Sequence, residues 1–154
     1  MVTQSFQVRP LSAGDPLLAF YRDLRNCLWP EAGDDCERET AGILANPNRW
    51  GVFIATTNEA AMIGFLEFSL REYAAGASSS PVGFIEGWFV APEFRKRGVG
   101  AALVAAAEGW ARSRGCTEIA SDTPIENAVS IAAHKALRYR EVERVVCFVK
   151  ELDR

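Results

Sequence analysis

A chain of 154 residues, 49% apolar and with a formal net charge of −3, amounts to about one domain, long enough to bury roughly 68–70% of its unfolded surface. The negative balance argues against nonspecific nucleic-acid binding, which needs a basic face. No apolar run reaches the roughly 18 residues of a membrane span, and Met1-Val2-Thr3-Gln4-Ser5-Phe6 has neither a charged nor an apolar export segment, so a cytoplasmic protein without a membrane partner is expected.

Phe6 to Pro10 alternates and then meets proline, which predicts a first strand. Asp15-Pro16 suits an N-cap and first helical position, with Leu17, Leu18, Tyr21, Leu24 and Leu28 following at helical spacing until Trp29-Pro30. Glu31, Asp34 and Asp35 form an acidic loop, a candidate rim for a cation. Cys36 to Leu44 predicts a second helix, ended by Asn46-Pro47-Asn48. Trp50 to Thr56 and Ala61 to Arg71 are β-rich runs around Thr57-Asn58-Glu59-Ala60 and predict a hairpin. Glu72 to Pro81 is then a loop that places Tyr73.

Phe84 to Val90 is an apolar, aromatic strand interrupted by Glu86 and Gly87 and closed by Ala91-Pro92. A carboxylate in such a strand is costly without a partner. From Val99, apolar residues at Leu103, Val104, Ala107, Trp110 and Ala111 predict a helix that stops at Gly115. Thr117 to Ser121 predicts a fifth strand, Asn127 to Leu137 a helix, and Tyr139 to Glu143 and Val145 to Glu151 two closing strands. The order β-α-α-β-β-β-α-β-α-β-β predicts one α+β domain over residues 1–154, a twisted mixed sheet flanked by helices. Cys27, Cys36, Cys116 and Cys147 form no C-x-x-C pair and His134 is the only histidine. Reduced thiols, mostly packing residues, and no metal site are expected.

Between strand and helix stands Arg95-Lys96-Arg97-Gly98-Val99-Gly100. A helix start offers unpartnered N–H groups and a positive dipole end, glycines remove the Cβ atoms that obstruct a phosphate, and the cations add counter-charge. The spacing fits neither common nucleotide loop. On spacing alone the turn is either a pyrophosphate site or an ordinary basic βα turn.

R-x-x-G-x-G, after a strand ending in V-x-P and before an alanine-rich helix, resembles the acetyl-CoA signature of the GCN5-related N-acetyltransferases. Ser79 to Val90, Gly115 to Thr123, Glu141 to Val145 and Leu28-Trp29-Pro30 further resemble the aminoglycoside 6'-N-acetyltransferases. The resemblance implies a single acetyltransferase domain whose fourth and fifth strands splay to admit acetyl-CoA. It places the pantetheine arm along Trp88, Phe89 and Val90, and the pyrophosphate at Arg95, Lys96, Arg97, Gly98, Val99, Gly100 and Ala101. It also places Asn127 at the cofactor, a residue that is otherwise a helix N-cap.

On the substrate side it implies Trp29, Tyr73, Glu86, Asp122 and Glu143, a set that suits a polycation because carboxylates bind ammonium and aromatic faces accept cations. Glu86 or Asp122 would take the amine proton, and the Val90 N–H would serve the oxyanion. In many relatives a tyrosine protonates the departing thiolate from the helix position held here by His134. An imidazolium, with an ordinary pKa of about 6.5, is a competent donor to a thiolate whose acid has a pKa of about 8.5. With no nucleophile and base pair, direct attack on the thioester is expected. A homodimer is implied by the family alone. The alternatives are an acetyltransferase for a polyamine, a small metabolite or a protein N-terminus, or a noncatalytic acetyl-CoA-binding regulator. Leu137-Arg138-Tyr139 departs from the pattern by placing arginine where a glycine with φ > 0 is usual.

Overall fold

Five strands form one sheet in chain order in the computed structural model, which describes residues 5–153. They are β1 (Phe6–Pro10), β2 (Trp50–Thr57), β3 (Met62–Arg71), β4 (Val82–Val90) and β5 (Ile119–Ser121). Each neighbouring pair among the first four is antiparallel, and β5 joins β4 in parallel. The mixed sheet follows from the connections: β2 and β3 are joined by a short hairpin, whereas β4 reaches β5 only through a helical crossover. The helices are α1 (Leu18–Leu28), α2 (Asp35–Leu44), α3 (Val99–Ser113) and α4 (Ala128–Ala136). The chain divides into two compact units, one ending at Asp122 and one beginning at Thr123.

Helices α1 and α3 use different apolar faces of the sheet. Tyr21 of α1 meets Phe65 of β3 edge to face at 5.2 Å, within a core of Leu11, Ile43, Val52 and Ile54. On β3, Phe65, Glu67, Ser69 and Arg71 share that face because strand side chains alternate. The alternate residue Phe68 meets Trp110 of α3 at 4.5 Å, and Gly83 is needed because a Cβ there would lie 2.8 Å from the Ala111 Cβ.

Register breaks once between β3 and β4: Glu67 pairs with Gly87 but Phe68 pairs with Ile85, so Glu86 is the extra residue of a β-bulge. A bulge shifts the facing pattern by one residue. Glu86 therefore faces Ser69 and Arg71, Gly87 faces the α1 side with its partner Glu67, and Trp88 turns to α3. Alternation without the bulge would reverse the last two.

In the second unit, α4 is capped by Asn127, whose Oδ1 accepts the Ser130 N–H at 3.0 Å. After it, Arg138 adopts φ +68, the left-handed conformation expected of the missing glycine, at a cost on the order of 1 kcal/mol. Residues 139–153 form neither helix nor strand, so the two closing strands expected over Tyr139–Glu143 and Val145–Glu151 are not formed. Strand-forming side chains do not make a strand without a ladder partner, and the sheet's pairings end at β5. Of the four free cysteines, Cys36 and Cys116 are buried as packing residues, whereas Cys27 and Cys147 are exposed.

Candidate active site

The bulge collects the site on the first unit. Glu86 is half-buried, with Oε1 accepting from the Ser69 hydroxyl at 2.5 Å and from Arg71 Nε at 3.0 Å, while Oε2 accepts from the Arg71 guanidinium at 2.6 Å. The partner that a carboxylate in an apolar strand requires is thus an arginine of the same sheet. Next to it, Gly87 leaves a notch filled by Trp29, whose Cη2 lies 2.1 Å from where a Cβ would stand. Trp29 is held from its other sides by Phe65, at 6.5 Å between ring centroids, and by the Arg25 guanidinium, 4.7 Å from the ring centre.

Behind Trp29 lies a buried polar cluster that the sequence reading missed. Glu67, 2% exposed, accepts from the Tyr21 hydroxyl and from Arg25 Nε at 2.6 Å, and Arg25 also pairs with Glu39 at 2.8 Å. Burial pushes the Glu67 carboxyl up, against the opposing hydrogen bond from Tyr21 and the charge of Arg25. Burial, with the Glu67 charge, likewise pushes the Tyr21 phenol above its ordinary range. The signal was available: Glu67 stands in Phe65-Leu66-Glu67-Phe68, as isolated among apolar residues as Glu86 is in its strand.

The edge of β4 opens beyond Ile85. Strand β5 pairs with β4 only through Gly83, Phe84 and Ile85, the last opposite Ser121. The next residues on the two strands are Glu86 and Asp122, so the carboxylates stand where the strands part. Asp122 is exposed. Further along, Ala91 donates its N–H to the Ile63 carbonyl at 2.9 Å. By antiparallel alternation the Val90 and Trp88 N–H groups then face the edge that β5 leaves open.

At the end of that edge the α3 N-terminus has no side-chain cap. Gly98 takes φ +83, and a Cβ there would meet nothing within 4 Å. This open, electropositive start fits an anionic pyrophosphate. Gly100 meets a requirement beyond the phosphate clearance expected from sequence: a Cβ there would stand 2.8 Å from the Trp88 indole. Among the cations, Arg95 donates Nε to the Val90 carbonyl at 2.9 Å and Arg97 lies 5.7 Å from the Phe94 ring centre. Lys96 and Ala101 are exposed, whereas the Val99 side chain is buried.

Tyr73 is 72% exposed on a loop pinned by Glu118. That carboxylate accepts from the N–H and hydroxyl groups of both Ser78 and Ser79, and the Ser79 hydroxyl, then the Ser78 N–H, hold it below the usual range. The acidic rim is partly consumed: Asp35 pairs with Arg38 at 2.5 Å, within α2. In the second unit, Glu143 is exposed. His134 Nδ1 lies 2.7 Å from the Ser130 carbonyl, and because a carbonyl only accepts, Nδ1 carries a proton.

The profile of the Acetyltransferase (GNAT) family matches residues 17–139. The chain belongs to that family. Its relatives include "Aminoglycoside N(6')-acetyltransferase type 1" of Stenotrophomonas maltophilia, 40% identical over 99% of this chain and 98% of that protein. The protein of the same name from Klebsiella aerogenes is 43% identical over 94% of this chain and 96% of its own length. Among solved structures, AAC(6')-Iy in complex with the bisubstrate analog CoA-S-monomethyl-acetylneamine matches with a TM-score of 0.89 and 39% identity, covering 96% of this chain and 99% of that one. The 6'-N-acetyltransferase AAC(6')-Ih from Acinetobacter baumannii matches at the same TM-score, 37% identical over 97% of this chain and 100% of its own. The α+β fold and the acetyltransferase membership expected from sequence stand.

Proposed function

We propose that this acetyltransferase transfers an acetyl group from acetyl-CoA to the 6'-amine of aminoglycoside antibiotics, conferring resistance. The observation that carries the reading is the near-full-length match, at about 40% identity, to relatives named for that reaction. A carboxylate pair where β4 and β5 part supports it, because the substrate is a polycation.

Acetyl-CoA supplies the acyl group as a thioester. The uncapped N–H groups at Val99, Gly100 and Ala101, the open Gly98 and the cations Lys96 and Arg97 hold its pyrophosphate. Arg95, bound to the Val90 carbonyl, fixes the turn at the end of β4. The edge of Trp88, Phe89 and Val90 receives the pantetheine arm as an added strand would, and Asn127 contacts it with the amide nitrogen that its capping oxygen leaves over. The Val90 N–H stabilises the developing oxyanion. On the drug side, Trp29 and Tyr73 give aromatic faces and Glu143 a further carboxylate. Glu86 accepts a hydrogen bond from the reacting amine, and Asp122, directly or through a water, takes its proton. His134 donates to the departing thiolate from Nε2, whose proton exists alongside that on Nδ1 only in the imidazolium.

The domain is the whole chain, 1–154, and works as a homodimer. Val145, Phe148, Val149 and Leu152 are exposed on a segment without regular structure, and a second copy would cover an apolar run that water disfavours. No helix among the described residues is long and apolar enough to cross a membrane, and the enzyme works in the cytoplasm, where acetyl-CoA is supplied. The test is steady-state kinetics of Glu86→Gln and Asp122→Asn, each of which should lower kcat/KM for a 6'-amino drug while CoA affinity is kept. Parent-like kinetics in both variants would place the amine elsewhere.

A further inference from the structure

Glu86 has both oxygens engaged before any substrate arrives. A carboxylate oxygen offers about two acceptor positions. Oε1 fills both, with Ser69 and with Arg71 Nε, and Oε2 uses one for the second Arg71 donor. One position remains, on Oε2. The arginine is fixed as well: its guanidinium lies over the buried Phe84 ring, 3.5 Å from the centre, so fork and platform hold it in one orientation.

The geometry points to Arg71 as the counter-cation that sets the charge of the substrate pocket. It leaves Glu86 a directional acceptor for one amine N–H instead of a full anionic partner for an ammonium. This rests on the aminoglycoside reading above and deepens it. Attack on a thioester needs a neutral amine, yet an unmatched carboxylate within about 4–6 Å favours the charged form and raises an amine's pKa by about one to three units. Such a carboxylate would bind the drug more tightly in its unreactive state. Arg71 offsets that field and keeps the hydrogen bond, so it is a positioning residue that acts through Glu86.

The other charged groups around Glu86 fit this division. Glu67, two residues from Ser69 on the same face of β3, is matched by Arg25 at 2.6 Å. Asp122, past the end of β5, is exposed and is the carboxylate placed to take a proton. Arginine answers the two carboxylates on β3 and β4, and the proton acceptor stands outside both pairs.

The test compares Arg71→Gln and Arg71→Lys in the full-length enzyme, by acetylation kinetics of a 6'-amino aminoglycoside across pH, with CoA affinity and melting temperature as checks of the fold. Arg71→Gln removes the charge. Its KM for the drug should fall, its kcat at neutral pH should drop about tenfold, and the ascending limb of its kcat profile should move up by about one pH unit. Arg71→Lys keeps the charge and should keep the limb where the parent has it. A glutamine variant whose limb stays at the parent's pH, or a lysine variant displaced as far as the glutamine one, overturns the role. Parent turnover is measured first. Its absence refutes the aminoglycoside reading, whereas an active parent with an unmoved limb in Arg71→Gln refutes the Arg71 role alone.

Discussion

Gly87→Ala tests how the site is built with one methyl group. The new Cβ would stand 2.1 Å from Trp29 Cη2 and 2.7 Å from Cζ2, against an optimal carbon–carbon separation of about 3.5–4.0 Å. The indole would have to retreat by about 1.5 Å, but Phe65 and Arg25 already pack against it. Overpacking of this kind costs about 1–3 kcal/mol, and at this chain length each kcal/mol lowers Tm by about 2–4 °C. In a Trp29→Ala background the notch is empty and the same methyl group has room. Thermal and denaturant unfolding of the parent, both single variants and the double variant should therefore give a coupling of about 1–3 kcal/mol, with Gly87→Ala nearly neutral when Trp29 is absent. Because Gly87 adjoins the bulge that aims Glu86, drug kcat/KM should fall in Gly87→Ala while CoA affinity holds. An equal cost of Gly87→Ala in both backgrounds would refute the packing of Trp29 against β4.

Glu67→Ala should lose about 3–5 kcal/mol in an unfolding titration, because Arg25 would keep its buried charge with only Glu39 as counter-ion; a loss under about 1 kcal/mol would contradict the cluster's role. Gly98→Val places a branched side chain at φ +83 where the protein itself offers no clash, so calorimetric titration should show CoA affinity reduced at least about tenfold in a folded variant. Unchanged affinity would move the phosphate site. His134→Ala should lower kcat with little change in CoA affinity, since it removes the donor to the departing thiolate, a ring whose Nδ1 is held by the Ser130 carbonyl. A variant with full kcat would leave His134 a packing residue.

The elements through α4 were legible because each carries a local signal: alternation in β1, helical spacing in α3, proline after β4. The C-terminal end of the order was not. Val145 to Glu151 has strand composition, but composition cannot supply a partner, and no ladder forms there. At the site, Glu86 declared itself as a carboxylate among apolar neighbours, yet its partners are 15 and 17 residues away, and no spacing rule pairs Glu86 with Arg71 and Ser69. Gly87 could have signalled the bulge, since an isolated glycine in a strand marks a bulge or a close approach; here it marks both. Gly100 carries a second requirement besides the one anticipated: phosphate clearance is readable from a motif, whereas the Trp88 indole that a Cβ would meet lies on another element.

Acetyl transfer to a 6'-amine is tested most directly by thiol release from acetyl-CoA with a matched pair of aminoglycosides, one bearing a 6'-amine and the other a 6'-hydroxyl. CoA release is expected with the amine and none above background with the hydroxyl analogue. Equal turnover of both, or of neither, would contradict it.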